Sequence, residues 1–337
     1  MTNDIQSQNK NLVRQLCDAM YDFESGNVLH TLERLLTADC SVRLCHPFGD
    51  MVGPTSFYNR VYQDLLEAIP DLERRDYIRI AGPSETGEQW VGCAGFYTGV
   101  FANTWMGIRP TGHVVTMRFH EFFRIENKRI VEIQAVWDIP DWLRQANAWP
   151  MAPSLGCEIH VPGPASNDGI VSGYYNVTQS ESTRTHIIDM LTAMTRHPLE
   201  GGPEVMEMEK FWHPKMNWYG PSGIGTCRGI DGFRQFHQIP FLNAMPDRGQ
   251  YPTEATHHFI ADGDFAAVTG WPNMAQKITG DGWLGLAPTG QKITLRSLDF
   301  WRLENGLIRE NWVLVDLLHV YDQLGIDVLN RARQIQK

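Results

Sequence analysis

The sequence lacks any long run of apolar residues, and its first ten residues, MTNDIQSQNK, show no basic-then-apolar pattern. A membrane-spanning helix needs about 20 apolar residues and a secretory signal peptide needs an apolar core, so we expect neither. Lysine and arginine form no cluster, and the formal net charge is −10. Because such a charge repels phosphate groups, we expect no nucleic acid and no membrane as a partner.

Signatures of several catalytic and metal sites are also missing. Six cysteines occur without a CxxC spacing, which is unlike a zinc site or a disulfide framework. We therefore expect free thiols in a reducing, cytoplasmic setting. The chain contains no GxSxG and no HExxH motif, and its glycine-rich GPSGIG segment carries no phosphate-loop lysine. We accordingly expect no nucleophilic hydrolase, no metal and no organic cofactor.

An internal repeat is the strongest signal that the sequence does contain. WMGIRPTGHVVTMRFHEFFRIENKRIVEIQAVWD at residues 105–138 aligns without a gap to WLGLAPTGQKITLRSLDFWRLENGLIRENWVLVD at 283–316. The two segments are identical at 14 of 34 positions. The total of 337 residues also favours two domains. We predict a tandem duplication, with domains at 1–146 and 183–337 and a Pro-, Gly- and Ser-rich connector at 147–182.

Hydrophobic periodicity predicts helices at the start of each copy and strands after them. The predicted helices are 11–23 and 55–68, then 185–195 and 231–243. The predicted strands are 90–97, 114–125 and 129–137, then 265–270, 292–303 and 307–315. Helices followed by long antiparallel strands indicate an α+β fold in which helices cover one face of a curved sheet. We expect the copies to pack as an intrachain pseudo-dimer, with an ordered connector that contacts at least one lobe.

Both copies resemble the SnoaL-like polyketide cyclase family of the NTF2-like superfamily. The resemblance rests on HPFGDMVG and WYGPSGIGTCRG early in each copy, AIPDLERRDYI and AMPDRGQY after the second helix, WxGxxPTG, and a closing strand that ends in Asp. It implies two cone-shaped domains, each with a deep pocket between sheet and helices. It also implies cofactor-independent aldol-type cyclisation of a small polyketide-like or aromatic carbonyl compound.

The resemblance assigns the role of general base to the aspartate that ends the last strand, which is Asp138 in the first copy and Asp316 in the second. An aspartate in this place is also a favoured helix cap, so base and cap both stay open. Ring closure further needs donors that stabilise an enolate oxygen. The candidates are His46, His120, Arg118, Arg296 and His319. The alternatives are ordinary satisfied histidines and arginines paired with structural carboxylates.

The expected pocket wall is aromatic with a few polar groups. The candidate substrate-binding residues are Trp105, Trp137, Asp141, Trp218, Tyr219, His237, Trp283 and Trp312. Plain core packing is the alternative for the aromatic residues. The copies differ in their polar residues, and the QLG ending occurs only at 323–325, so we predict that one pocket, the second, dominates. A lyase, dehydratase or isomerase, or a non-catalytic small-molecule-binding protein, are the alternative functions, and further oligomerisation is left open.

Overall fold

In the computed structural model, which describes residues 5–336, the chain forms two lobes of like construction. The ends of the two predicted domains, residues 1–4 and 337, lie outside the described residues. The first lobe contains α1 (Ile5–Tyr21), α2 (Ser25–Leu35), β1 (Leu36–Leu44), β2 (Gly49–Val52), α3 (Pro54–Phe57), a π-helical turn (Tyr58–Tyr62), α4 (Gln63–Ala68), β3 (Glu73–Pro83), β4 (Gln89–Val100), β5 (Val114–Glu126), β6 (Arg129–Trp137) and α5 (Ile139–Gln145). None of the helices within 5–336 is both long enough and apolar enough to cross a membrane.

The second lobe repeats this order with small changes. It contains α6 (Val177–Met194), α7 (Met208–Phe211), β7 (Trp212–Tyr219), β8 (Thr226–Arg228), α8 (Gly229–Phe233), a π-helical turn (Arg234–Gln238), α9 (Ile239–Ala244), β9 (His258–Asp262), β10 (Phe265–Thr269), β11 (Met274–Lys277), β12 (Lys292–Leu295), β13 (Ser297–Glu304), β14 (Leu307–Val315), α10 (Leu317–Gln323) and α11 (Val328–Ile335). Short 3₁₀ turns lie at Pro203–Met206 and Pro252–Glu254.

The two sheets have the same topology. Their strand orders are β2-β1-β6-β5-β4-β3 and β8-β7-β14-β13-β10-β9. All pairs are antiparallel except β1 with β6 and β7 with β14, which are parallel. This identity of order confirms the predicted tandem α+β duplication.

Side-chain alternation along the strands gives each sheet two distinct faces, because successive residues point to opposite sides. On β5, Phe119 and Phe123 are buried toward the helices of their own lobe, whereas Phe122 stacks on Phe300 of the other lobe at 5.1 Å between ring centroids. Phe122 and Phe300 align in the internal repeat, so each lobe contributes the same residue to this contact. The predicted packing as a pseudo-dimer is thereby confirmed. Burial of each such side chain contributes about 1.5–3 kcal/mol.

The second half differs from the prediction in several places, one of which is the predicted strand 292–303, divided here into β12 and β13. Helix α6 begins at Val177, inside the predicted connector, because the Asn176 side chain caps it by accepting from Gln179 N. Residues 177–182 of the predicted connector are therefore helical. Strand β10 ends at Thr269, before Gly270 and Pro272, and its continuation β11 pairs with β12 as a separate two-stranded sheet. Proline has no backbone N–H to donate to a strand ladder, which explains the interruption.

The connector contacts both lobes, as predicted. Its Gly169 carbonyl accepts from Arg79 N of β3, and Cys157 exchanges two backbone hydrogen bonds with Thr226 of β8. The indole of Trp312 on β14 donates to the Pro162 carbonyl at 2.9 Å. These contacts hold the connector against the two sheets as a strap.

Candidate functional site

Two adjoining cavities lie between the sheet and the helices of the second lobe. The inner chamber has about 660 Å³ of empty space, including space open to solvent. It is lined mainly by apolar side chains, among them those of α6, β7, α9 and β14. The outer chamber has about 1100 Å³, including space open to solvent at its mouth. The chambers share six lining residues, which are Leu191, Arg248, Met274, Ser297, Asp299 and Trp301. The two chambers therefore adjoin each other along this shared wall.

Smaller side chains at matching positions account for this cavity. Trp137 and Phe119 of the first lobe align with Val315 and Ser297 of the second. Strand register also matches Tyr97 with Met274, since their cross-strand partners Met117 and Leu295 align in the repeat. Trp137, Phe119 and Tyr97 are each at most 2 % exposed. The first lobe thus fills with aromatic rings the space that the second lobe leaves open.

A buried polar network completes the filling of the first lobe. The carboxylate of Glu121 accepts from Arg74 at 2.5 Å, from the Tyr97 hydroxyl at 3.1 Å and from the Trp137 indole at 2.9 Å. Arg74 also donates to both oxygens of Asp76. Every member of this network therefore has partners, which is the usual requirement for buried charge.

Asp299 is the counterpart of Glu121 in the second lobe, and its surroundings differ. Its carboxylate accepts from Ser297 Oγ at 2.7 Å and borders both chambers. Burial raises the pKa of Asp299 to about 7, although Ser297 and the positive charge of Arg248 act in the opposite direction. A carboxyl group that titrates near neutral pH can both take and return a proton there.

Several polar groups in the inner chamber have no protein partner among residues 5–336. They are the indole Nε1 atoms of Trp212 and Trp301, Nδ1 of His237 and Oε1 of Gln238. His237 stacks on Trp218 with centroids 4.1 Å apart. Burial lowers the pKa of His237 to about 3, so its imidazole is neutral. Buried donors and acceptors are normally satisfied, so these four groups are exceptions to that rule.

Asp138 and Asp316, the two aspartates expected as bases, have matching structural roles at the lobe interface. Asp138 caps α5, pairs with Arg118 at 2.8 Å and accepts from Ser222 N of the second lobe. Asp316 caps α10, pairs with Arg296 at 3.2 Å and accepts from the His46 backbone N–H of the first lobe at 3.0 Å. Both aspartates therefore cap a helix, and both arginines pair with a carboxylate. Neither aspartate lines the inner or the outer chamber.

The candidate histidines also lie at the interface. His120 is fully buried, its Nδ1 lies 2.5 Å from the Leu298 carbonyl, and burial lowers its pKa to about 3. His46 Nδ1 lies 3.9 Å from Asp322. His319 packs near Arg296 and Asp316, and burial lowers its pKa. The structure thus brings these residues together between the lobes, away from the chambers.

Three of the eight predicted substrate-binding residues line the inner chamber, namely Trp218, His237 and Trp283. Trp105 and Trp137 lie in the filled first lobe, where Trp105 packs on Trp142. Tyr219 and Trp312 pack on each other beside the connector. Asp141 pairs with Arg144 at 2.5 Å, and burial together with Asp138 raises its pKa to about 6. Asp141 borders a gap of about 300 Å³ beneath the connector.

The sequence pointed to His237 but not to the two charged residues that line both chambers, Asp299 and Arg248. A usable signal existed for Asp299, since the acid aligns with Glu121 in the repeat and shares a strand face with Ser297 and Trp301. Arg248 follows the AMPD motif in an irregular segment, and no periodicity indicates where its side chain lies.

One group of metal-ligand types occurs within 5–336. Cys17, Asp76 and Cys93 place their ligand atoms within 4.8 Å of one another. Arg74 donates to both oxygens of Asp76 at 3.1 and 3.0 Å, so a cation there would compete with an arginine. The cluster lies in the first lobe and has no contact with the chambers.

Comparison with known proteins gives one family match and many structural matches. The model of the SnoaL-like polyketide cyclase family matches residues 12–146 and 202–324. IdmH from Streptomyces antibioticus, a candidate polyketide cyclase, is 20% identical, with a TM-score of 0.36 over 42% of this chain and 99% of that chain. AclR from Streptomyces galilaeus, a candidate hydroxylase, is 18% identical, with a TM-score of 0.37 over 44% of this chain and 86% of that chain. No curated protein matches the chain.

Proposed function

The chain belongs to the SnoaL-like polyketide cyclase family, and on this premise we propose that its second lobe is an enzyme that moves protons at carbon without a cofactor. The reaction is an aldol-type cyclisation of a small carbonyl compound with an aromatic or otherwise flat ring system. The chambers supply the space for such a compound, because small-molecule sites are mostly apolar clefts with a few convergent polar groups.

The observation that carries this proposal is the position of Asp299. It is the sole acid that lines either chamber among the described residues. Apolar surroundings raise its pKa to about 7, which matches a general base to neutral pH. Ser297 Oγ, at 2.7 Å, orients the carboxylate.

The proposed reaction conserves all atoms of the substrate. The Asp299 carboxylate takes a proton from the carbon beside a carbonyl, which leaves an enolate. The unpaired indole N–H groups of Trp212 and Trp301 donate to the enolate oxygen as its charge develops. The enolate carbon then attacks a second carbonyl of the same molecule, and the resulting alkoxide takes the proton back from Asp299. Asp138 and Asp316 hold the lobe interface and have no part in these steps.

Enzyme-catalysed hydrogen–deuterium exchange tests the first of these steps without knowledge of the natural substrate. The probe is β-tetralone, a two-ring ketone whose protons beside the carbonyl exchange slowly in D₂O, and proton NMR follows their loss. We expect the wild-type protein to accelerate this exchange. Asp299→Asn should lower the acceleration roughly 100- to 10,000-fold, since Asn keeps the shape but cannot act as a base.

Asp138→Asn and Asp316→Asn are the matched controls and should retain most of the exchange rate. If Asp316→Asn removes the exchange and Asp299→Asn does not, the base is the residue that the family resemblance implies, and our assignment is wrong. If β-tetralone binds without any accelerated exchange, the proposed catalysis fails, and the non-catalytic binding protein becomes the favoured function.

A further inference from the structure

Arg248 lies at the junction of the two chambers and contacts both. It follows the π-helical turn and α9, and its side chain reaches into the cavity opposite β13, the strand that carries Asp299. The outer chamber opens to solvent beside Gly249, Pro252 and His257, which are exposed. A ligand that enters by this mouth meets Arg248 before it reaches the inner chamber.

The guanidinium of Arg248 has no hydrogen bond and no ion pair within 4.0 Å anywhere in residues 5–336. Burial lowers the pKa of Arg248. The negative charge of Asp299, which is not in contact with Arg248, raises this pKa by a smaller amount. The first lobe shows how the same fold satisfies a buried arginine, because Arg74 there makes close ion pairs with Glu121 and Asp76. The second lobe also contains an acid, Asp299, and an arginine, Arg248, but these two side chains do not form an ion pair within 4.0 Å.

The charges that line the cavity are unequal in sign. Arg248 carries a permanent positive charge, whereas Asp299, the sole lining acid among the described residues, is only partly ionised at neutral pH because burial raises its pKa to about 7. At the mouth, Lys277 and Lys292 place their ammonium groups 6.0 and 5.4 Å from the ring centre of Tyr251, a residue of the outer chamber. Lys292 is paired with Glu254 at 2.7 Å, so within residues 5–336 Lys277 supplies the unpaired charge of these two. Arg248 is half-buried. An unpaired cation that is partly removed from water is costly, and an anionic ligand would offset that cost.

We propose that the second-lobe cavity binds an organic carboxylate, with its carboxylate group paired to Arg248 and its flat apolar body in the inner chamber. This inference rests on the proposed function in one respect, which is that the cavity is the ligand site. The guanidinium fork suits a carboxylate because both groups are planar and can form two parallel hydrogen bonds. The Trp218 and His237 rings, stacked at 4.1 Å, supply a flat wall for the apolar body.

A pair of probes with the same ring system and different charge tests the proposal. β-Naphthoate and its neutral amide, β-naphthamide, are titrated into the full-length protein by calorimetry at about pH 6, where a carboxylic acid is ionised. We expect β-naphthoate to bind roughly 10- to 100-fold more tightly than β-naphthamide, as a charge-assisted contact would give. Arg248→Gln should abolish that preference and leave the dissociation constant of β-naphthamide unchanged.

Arg228→Gln is the control, because it removes the same charge from an exposed position of the same lobe that pairs with Asn217; it should keep the preference. Binding of β-naphthamide to Arg248→Gln shows that this variant is folded. The comparison of the two probes in the wild type does not depend on the variant. Equal affinities for the two probes in the wild type would overturn carboxylate recognition while leaving the β-tetralone exchange test untouched. A preference that survives Arg248→Gln would overturn the role of Arg248. Binding of neither probe would contradict the cavity itself and both proposals with it.

Discussion

Glu121 and Asp299 stand at equivalent positions on β5 and β13, and their carboxylates face the interiors of their own lobes. Glu121 receives three side-chain donors, from Arg74, Tyr97 and Trp137. Asp299 receives one, from Ser297, and otherwise borders empty space. The duplication has thus kept an acid in both sheets while one copy uses it for packing and the other exposes it to a cavity.

Removal of the charge at these two positions should affect stability in different ways. Glu121→Gln leaves Arg74 with one fewer buried partner and should lower the free energy of unfolding by about 3–5 kcal/mol. Asp299→Asn should be neutral or stabilising, because functional sites often hold groups that cost stability. Thermal unfolding of both variants, followed by circular dichroism, measures the contrast. Equal destabilisation by both substitutions would mean that Asp299 is a structural residue as well.

The sequence predicted the duplication, three strands in each lobe, and two alternative roles, base or cap, for Asp138 and Asp316. It did not predict β1 or β3. The predicted features depend on local pattern and on alignment of the two copies. The sequence did not predict that Asp138 would accept from Ser222 N or Asp316 from His46 N. Each of these pairs joins segments of different lobes, so neither local period nor spacing contains it. The location of the cavity could not be predicted from local sequence either, because it depends on how side chains from several elements fill one interior volume.

The activity and stability contributed by Asp299 should change in opposite directions with pH. Burial raises its pKa from 3.8 to about 7, so between these values the folded protein holds a proton that the unfolded chain has released. The stability contributed by Asp299 is therefore complete below a pH of about 4 and is lost as the pH rises through about 7. The rate of β-tetralone exchange should rise over the upper part of that range, because the carboxylate is the base.

Asp299→Asn supplies the reference for this measurement. The unfolding midpoint of the wild type relative to the variant should fall as the pH rises, because only the wild type contains Asp299. His237 and His257, which also line the chambers, are present in both proteins, so their effects cancel in the comparison. Arg248 keeps its charge throughout the range. A pH-independent difference between the two proteins would show that Asp299 titrates at an ordinary carboxyl pKa.

The interface aspartates should contribute to stability and not to turnover. Asp138→Asn and Asp316→Asn keep the helix caps but weaken the pairs with Arg118 and Arg296. The Arg118 pair is buried and the Arg296 pair is partly buried, so each substitution should destabilise the protein, by about 1–3 kcal/mol. Urea unfolding measures this cost, and the exchange assay checks that the rate stays within a few-fold of the wild type. A large loss of exchange with unchanged stability would assign a chemical role to the substituted aspartate.

Exchanging the side chains at positions 137 and 315 should partly fill the interior of the second lobe and partly open the interior of the first. Val315→Trp copies the residue of the first lobe, Trp137, into the second. The added indole should occupy part of the inner chamber, which Val315 lines, and weaken the binding of β-naphthamide roughly tenfold or more. Because Val315 borders the chamber, this substitution should cost less stability than overpacking of a close-packed core.

The reverse substitution, Trp137→Val, is the matched control. It removes a fully buried indole and the donor to Glu121, so it should lower the free energy of unfolding by about 3–5 kcal/mol. Its effect on β-naphthamide affinity should be negligible, because Trp137 lies in the first lobe and lines neither chamber. If Trp137→Val weakened the binding of this probe as much as Val315→Trp does, the ligand site would not be confined to the second lobe. The cavity described above would then be only part of it.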